Sequence, residues 1–467
     1  MEYGMLSLLP PIIAIVLAIR TKQVIISLTA GLFIGWTIIG SFNPFIGLLY
    51  TLEGIVDVFK SAGNTRTVIF TLLIGVLIQL IRSSGGIEGF IESMKSYLGT
   101  STKNRKKIQI GAALTGFLIF IESNISILTV GTIFQPLFNK YNISKAKLAY
   151  LADSSSAPSC ILFPVNAWGA YIIGLLSIYE GVAPFSVLVS SIGYNFYPIL
   201  TLIFVFYIAS TNKSFGAMKK YELANETPME VPSRNVGGNS KDMIFPLLAM
   251  IISMPLFLIY TGWGNHDGEI TDKLWQAISN ASGSSAVLYA VSFGIIFTLF
   301  WYGLRGKLST KSFISDAFKG MNEMMEMAIL MVLAFSIGAL CKELNTGAYV
   351  AEITKPWLSP SLAPALLFLI SCFVAFSTGT SWGTFAIMIS IAVPLAQQLD
   401  INISLAVAAV LGGGVFGDHC SPISDTTLIA SMASGVDHID HVRTQLPYAL
   451  FTGGLAFILY LIVGFAI

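Results

Sequence analysis

The sequence predicts an all-α polytopic membrane protein made of two inverted repeats, and three observations lead there. Of its 467 residues, 54% are hydrophobic and only 11% are charged. Soluble domains carry about 25% charged residues, so these charges fall far short of covering a water-facing surface. Apolar runs of spanning length recur along the whole chain. The order of segments in the first half returns in the second. The same composition excludes other classes. The 26 Lys+Arg nearly cancel the 25 Asp+Glu, leaving no basic face for nucleic acid. The chain is too apolar for disorder, and the alternating short strands of an outer-membrane barrel are absent. Cys160, Cys341, Cys372 and Cys420 lack paired spacing, so neither a disulfide framework nor a zinc site is indicated. H-E-x-x-H does not occur; no enzymatic activity and no cofactor are expected.

The N-terminal MEYGMLSLLPPIIAIVLAI lacks a basic n-region and a small-residue cleavage pattern, and reads as a first membrane helix. Spans are predicted near 5–20, 23–42, 67–82, 186–208, 243–262, 285–303, 321–341 and 447–467, each bounded by polar, Gly or Pro residues. Residues 145–177 and 402–435 are apolar stretches interrupted by DSSSAPS and GDHCSPISD, and predict broken helices with unwound middles. At 108–139 and 362–398, two apolar arms flank a polar tip: Glu122-Ser123-Asn124 in the first, STGTSWG in the second. An arm of about 14 residues rises roughly 21 Å, against a hydrocarbon core of about 30 Å. Each pair is therefore one overlong bent helix or a re-entrant hairpin with its tip at mid-membrane.

Loop charge favours the hairpins, which give ten crossings. Loops 20–22, 82–107, 140–147, 209–242, 304–320 and 436–446 then hold 21 of the 26 Lys+Arg. The other side holds five: Lys60, Arg66, Lys273, Lys342 and Lys355. The positive-inside rule places the first set in the cytoplasm and both termini extracytoplasmic, in a multi-pass protein of the cell (inner) membrane. Residues 86–98 put Ile87, Phe90, Ile91, Met94 and Leu98 on one helical face, which predicts an interfacial piece. The polar stretch 209–242 predicts a cytoplasmic linker between repeats 1–208 and 243–467. In each half the order is helix, helix, amphipathic piece, helix, hairpin, broken helix, helix. Aligning Pro136-Leu137 with Pro394-Leu395 sets Glu122 against Thr380. Five crossings per half, an odd number, invert the second repeat relative to the first.

All 26 Lys+Arg fall in loops or at segment ends, but Glu122, Asp153, Asp418 and Asp425 lie inside breaks in apolar stretches. A mid-bilayer carboxylate costs about 2.5–3.5 kcal/mol on insertion scales. Four of them without a basic partner point to a cation or proton as the missing counter-charge. Hydroxyls and amides surround them. Ser123, Asn124 and Ser126 flank the first tip, and Ser154, Ser155, Ser156 and Asn166 lie in the first broken helix. Thr378, Thr380, Ser381 and Thr384 surround the second tip; Ser421, Ser424 and Thr426 lie in the second break. With carbonyls freed at half-helix ends, these are hard oxygen ligands suited to sodium, placed here at Asp418, Asp425 and Glu122. A site that holds sodium or a proton, never both, is the minimal exchanger. His419 reads equally well as a core histidine and as a proton-handling group. Trp168 and Trp382 read as packing, and His438 and His441 as a solvated cytoplasmic face. Half-helix N-termini with Ser, Thr and Asn can also hold an organic carboxylate without arginine.

The run GGGVFGDHCSPISDTTLIASMASGVDHIDHVRTQLPYAL at 412–450 resembles the signature of the NhaC family of sodium/proton antiporters. The companions GTSWGTFAI (379–387) and LAYLADSSSAPSCILFPVNAWGAY (148–171) also match that pattern. The resemblance implies sodium extrusion in exchange for protons by alternating access, with a scaffold domain, a moving transport domain and a homodimer. The expected partners are the lipid bilayer and small ions. One departure bears on substrate. The family pattern at the first hairpin resembles F-F-D-D-Y-A-N-T, whereas this chain reads F-I-E-S-N-I-S-I at 120–127, with Ser123 in place of the second acid. Some members of the family move organic acids or amino acids with the cation, so a cation-coupled exchanger or symporter of a small organic acid or amino acid is the alternative.

Overall fold

The computed structural model describes residues 3–466 apart from 22, 88, 91–92, 94–104, 121, 165, 225–237, 265–272, 274–276, 278–280, 308, 347–348, 350–351 and 354–358. Every regular element among the described residues is helical. Most of the interfacial piece expected over 86–98, and residues 225–237 of the linker, lie outside them. In the first half α1 is Leu9–Thr21, α2 Val24–Ile39, α3 Pro44–Asp57, α4 Ala62–Ser83, α5 Arg105–Leu118, α6 Ser123–Lys140, α7 Lys145–Leu162, α8 Ala167–Leu176, α9 Pro184–Ile192, α10 Phe196–Thr211 and α11 Gly216–Ala224. In the second half α12 is Lys241–Gly262, α13 Gly283–Leu304, α14 Thr310–Glu323, α15 Met325–Glu343, α16 Ala363–Thr378, α17 Ser381–Leu399, α18 Ile403–Cys420, α19 Asp425–Ser434 and α20 His438–Ala466. Among the described residues nine helices are long and apolar enough to cross a membrane, and up to eleven if two bent pairs each count as one span. The chain is a multi-pass membrane protein.

Several boundaries differ from the sequence expectation. Helix α3 lies where the repeat order sets an amphipathic piece, between the second and third helices; it bends 120° from α2 and is capped by Asn43, whose Oδ1 accepts from the Phe45 amide at 3.0 Å. Only α5, at 14 residues, has the expected arm length; α6 has 18 residues, α16 has 16 and α17 has 19. A 19-residue helix rises about 28 Å, so length alone does not keep α17 from crossing. The arms of each pair do pack side by side. The second pair reverses at Gly379, whose φ of +70° ends α16 in the left-handed region open to glycine. Thr380 then caps α17.

The two broken helices are present, but their breaks are displaced. DSSSAPS stays helical, and the first break falls at 163–166, with a 44° bend between α7 and α8. Ser155 and Ser156 satisfy their hydroxyls inside the helix, on the carbonyls of Leu151 and Ala152 at 2.6 Å each. In the second broken helix α18 runs through Asp418 to Cys420, and the break is Ser421–Ser424 around Pro422. Asp418 therefore sits on the last turn of a half-helix, and Asp425 on the first turn of the next.

Packing repeats with the halves exchanged. Helix α2 packs on α15, as α13 does on α4. The amphipathic α3 packs on α15, and α14 on α4. The first hairpin packs on α7, the second on α18. Helix α10 lies against α5, and α20 against α16. The exchange is incomplete in one place. Helix α17 also packs on α15, and both arms of the second hairpin touch α1; among the described residues α5 and α6 have no comparable packing on α4, α12 or α13.

Glycines set the closest approaches. A Cβ at Gly75 of α4 would stand 2.3 Å from the Gly320 carbonyl of α14, and one at Gly320 would stand 2.2 Å from the Gly75 carbonyl. Gly413 and Gly417 bring α18 against the α16 backbone in the same way. Small residues at such contacts let helices approach closely where lipid offers no hydrophobic drive for association.

Candidate functional site

The second hairpin and the second break converge on Asp418. Its carboxylate, 3% exposed, accepts from Ser381 Oγ at 2.7 Å and from Ser424 Oγ at 2.5 Å. Ser424 is also 2.9 Å from the Thr426 hydroxyl. Ser421 ties the break to the hairpin by donating to the Phe376 carbonyl at 2.7 Å. Among the described residues no Lys, Arg or His forms an ion pair with Asp418. Asp242 shows the alternative. It too is buried, yet it pairs with Arg305 and with Lys307 (2.6 Å) and accepts from Trp301. A buried acid with fixed cations is a structural ion cluster; among the described residues Asp418 is met by the hydroxyls of Ser381 and Ser424 and the Ser381 backbone.

The first half builds a related arrangement. Asn166 caps α8, accepting from the Gly169 amide at 3.0 Å. Its amide donates to the carbonyls of Phe120 at the first tip and Cys160 at the end of α7, both at 2.7 Å. Asn166 thus does for the first break what Ser421 does for the second, and its hydrogen bonds are committed to protein. Ser126 donates to the Gly116 carbonyl at 3.0 Å and meets Ser156 at 2.7 Å. Glu122 is half-buried at the tip, where Oε1 accepts from the Asn124 amide at 3.0 Å and lies 3.5 Å from Ser123 Oγ. The Asn124 side chain reaches 3.5 Å from Asp425 Oδ2, so the first hairpin touches the second broken helix. Asp425 is exposed on the protein surface.

Asp153 is fully buried. Its Oδ2 accepts from Gln445 Nε2 at 2.7 Å, while its Oδ1 is buried without a partner. His441 Nε2 is 3.9 Å from the same carboxylate, so Asp153 has a histidine neighbour that the sequence did not suggest. His419 behaves as a satisfied core histidine: Nε2 meets Ser154 Oγ at 2.7 Å, and Nδ1 meets Tyr197 OH at 2.6 Å. Thr378 and Thr384 bond to carbonyls of their own helical turns, and Thr380 serves as a cap. Trp168 and Trp382 pack together, centroids 5.5 Å apart, with Tyr171 stacked on Trp382.

Asp153, Asp418 and Asp425 lie within electrostatic reach of one another, while Glu122 stands at the first tip, from which Asn124 reaches Asp425. Among the described residues no group of three or more His, Cys, Asp or Glu is arranged to hold a metal ion. A cation at Asp418 would instead meet the oxygens of Ser381, Ser424 and nearby carbonyls. Sequence reasoning missed Tyr197, His441 and Gln445. The signal that could have found the last two is that His441, Gln445, Tyr448 and Thr452 fall at a helical spacing that runs into the final apolar stretch.

The sequence pattern of the Na+/H+ antiporter family matches residues 159–465. An uncharacterized protein of Haemophilus influenzae is 34% identical over 98% of this chain and 91% of its own length. The malate-2H(+)/Na(+)-lactate antiporter of Bacillus subtilis is 31% identical over a segment that covers 35% of each chain. The crystal structure of the YdaH transporter of Alcanivorax borkumensis superposes with a TM-score of 0.63 at 13% identity, covering 90% of this chain and 89% of that one, and so shares the fold.

Proposed function

The chain belongs to the Na+/H+ antiporter family and is a secondary transporter; from that premise we propose that it extrudes sodium in exchange for protons by alternating access. The observation that carries this reading is Asp418, buried, anchored by two serine hydroxyls from separate elements, and without a fixed cation among the described residues. A carboxylate in that setting needs a mobile positive charge, and hydroxyl and carbonyl oxygens are hard ligands for sodium. Sodium and the proton compete for one site, so outward movement of one drives inward movement of the other. Asp425, Glu122 and Asp153 take part as further cation or proton groups.

In this reading the halves are inverted repeats, and the exchange of packing partners between them supports that relation. Helices α1–α4 and α12–α15 form the scaffold. The hairpins, the broken helices, α10 and α20 form the transport domain. The basic loops are cytoplasmic, both termini are extracytoplasmic in the cell membrane, and the protein works as a homodimer. Reconstituted protein tests the function: an imposed sodium gradient should move protons with no organic solute present, and no response rejects it.

A second reading is favoured by one feature. Asn124 and Asp425 meet at the protein surface, where a solute larger than an ion can reach, and the Bacillus subtilis relative is named for malate and lactate. In that reading an organic acid or amino acid moves with the cation. Thermal stabilisation of the purified protein across an organic-acid and amino-acid panel tests it; indifference to the whole panel removes it.

A further inference from the structure

We propose that His438, Ser431 and His441 form the route by which protons pass between the cytoplasmic face and Asp153, with His441 as the immediate donor and acceptor. The proposal rests on the exchanger reading and names the path of its proton.

The geometry is a hydrogen-bonded chain from His438 through Ser431 to His441 and Gln445, with one further step of 3.9 Å from His441 to Asp153. His438, half-buried at the start of α20, holds the Pro422 carbonyl through Nε2 at 2.7 Å. Its Nδ1 is 3.1 Å from Ser431 Oγ on α19. The same oxygen is 3.0 Å from Nδ1 of His441, which is fully buried. His441 Nε2 meets Gln445 Oε1 at 2.8 Å and lies 3.9 Å from Asp153 Oδ2. A cavity of about 1000 Å³ is lined in part by Lys145, Gly435, Val436 and Asp437, the last being the residue before His438.

Donor and acceptor accounting shows where this chain has room for a proton. The Gln445 amide nitrogen donates to Asp153 and to the His419 carbonyl. Its Oε1 must therefore accept, and His441 Nε2 must carry a hydrogen. His438 Nε2 faces a carbonyl and must carry one as well. In neutral rings both Nδ1 atoms are then bare acceptors. They share Ser431 with a third acceptor, the Thr427 carbonyl at 2.7 Å. One hydroxyl hydrogen faces three acceptors, and each added proton fills one vacancy. On His441, that proton has a counter-charge in Asp153.

The transfer balances simply. The Nε2–H bond of protonated His441 breaks and leaves its electron pair on nitrogen, and an O–H bond forms on Asp153. The neutral ring then keeps its hydrogen on Nδ1; the ring turns over to carry that hydrogen to the Gln445 side, and the nitrogen so bared toward Ser431 accepts the next proton through Ser431 from His438 and solvent. The titratable groups around His441 are Asp153 on α7, His419 on α18 and His438 on its own helix. Helix α19 presents Ser431 and Thr427, and its first residue, Asp425, lies within electrostatic reach of Asp153. Helix α10 presents Tyr197, bound to His419, and α11 presents Tyr221, which lies within electrostatic reach of Asp437 and Asp440.

The test uses full-length protein in proteoliposomes, with sodium-driven proton flux recorded while pH on the basic-loop side is stepped from about 6 to about 9. His441→Gln is expected to slow exchange roughly ten-fold or more and to flatten the dependence on pH at that face. Equilibrium binding of radioactive sodium at fixed pH should remain within two-fold of wild type, a retention that a structural defect would not give. His438→Gln, at the partly open end, should shift the same pH profile, and it decides the matter if His441→Gln fails to fold. Wild-type pH profiles in the folded variants overturn the route while leaving the exchanger intact. Absence of sodium-driven proton flux in the wild-type protein overturns the exchanger reading and the route with it.

Discussion

Replacing Ser381 with alanine removes the donor that the second hairpin lends to Asp418. The 2.7 Å separation is that of a charge-assisted hydrogen bond, and such bonds contribute about 1.5–3 kcal/mol net. Ser424 stays 2.5 Å from the other oxygen, so the site is weakened rather than dismantled. At about 1.4 kcal/mol per decade, the sodium dependence should worsen by about ten- to a hundred-fold, read as a fall in kcat/KM. The assay is proton flux into proteoliposomes with sodium titrated at fixed pH. Ser381→Thr retains a hydroxyl and should recover part of the loss. Combined with Ser424→Ala, the effects should depart from additivity, because both hydroxyls act on one carboxylate. A folded Ser381→Ala protein with unchanged sodium dependence would refute the assignment of Asp418 as the cation site.

Four further outcomes are expected. Asp418→Asn and Asp425→Asn should each abolish exchange while inserting normally, and wild-type turnover in either variant removes that residue from the mechanism. Asn166→Ala deletes three hydrogen bonds at the first break; at about 1 kcal/mol each the protein should lose about 3 kcal/mol, seen as a lower melting temperature in detergent. Gly75→Val would drive a side chain into the Gly320 carbonyl, and overpacking of about 1–3 kcal/mol or more should lower the melting temperature; an unchanged melt would mean the helices part freely. The Lys342 ammonium beside Glu180 holds its carboxyl below the usual range. That pair stabilises the fold above the ordinary carboxylate pKa and loses its effect as pH falls through the lowered value. Both groups are well exposed, so Glu180→Gln should leave the neutral-pH melt unchanged, and a clear drop would mean the pair is sheltered.

The sequence revealed the helical membrane class, the polar tips and the breaks because a polar residue in an apolar stretch is conspicuous. It misplaced the first break because Ser155 and Ser156 have a helical way to satisfy their hydroxyls that composition does not show. Hairpin arms came out longer than expected because residues of the polar tips join the helices that follow, α6 starting at Ser123 and α17 at Ser381. Ser381, Ser424 and Asp418 were legible as chemistry, while their meeting depends on how α16 and α17 fold back on α18. His441 was least legible. It looks like loop, since the apolar run begins only at residue 447, yet α20 begins at His438 and carries it inside.

The crossing of Gly75 and Gly320 joins the two halves of the chain, because neither half owns both of its bare surfaces. If the chain were cut between Ala224 and Lys241, each fragment would present a notch whose only match lies on the other. Within lipid, expulsion of water offers no help in reuniting them, so fit must do the work. Complementation between separately made fragments should therefore stand or fall on a single missing methyl group.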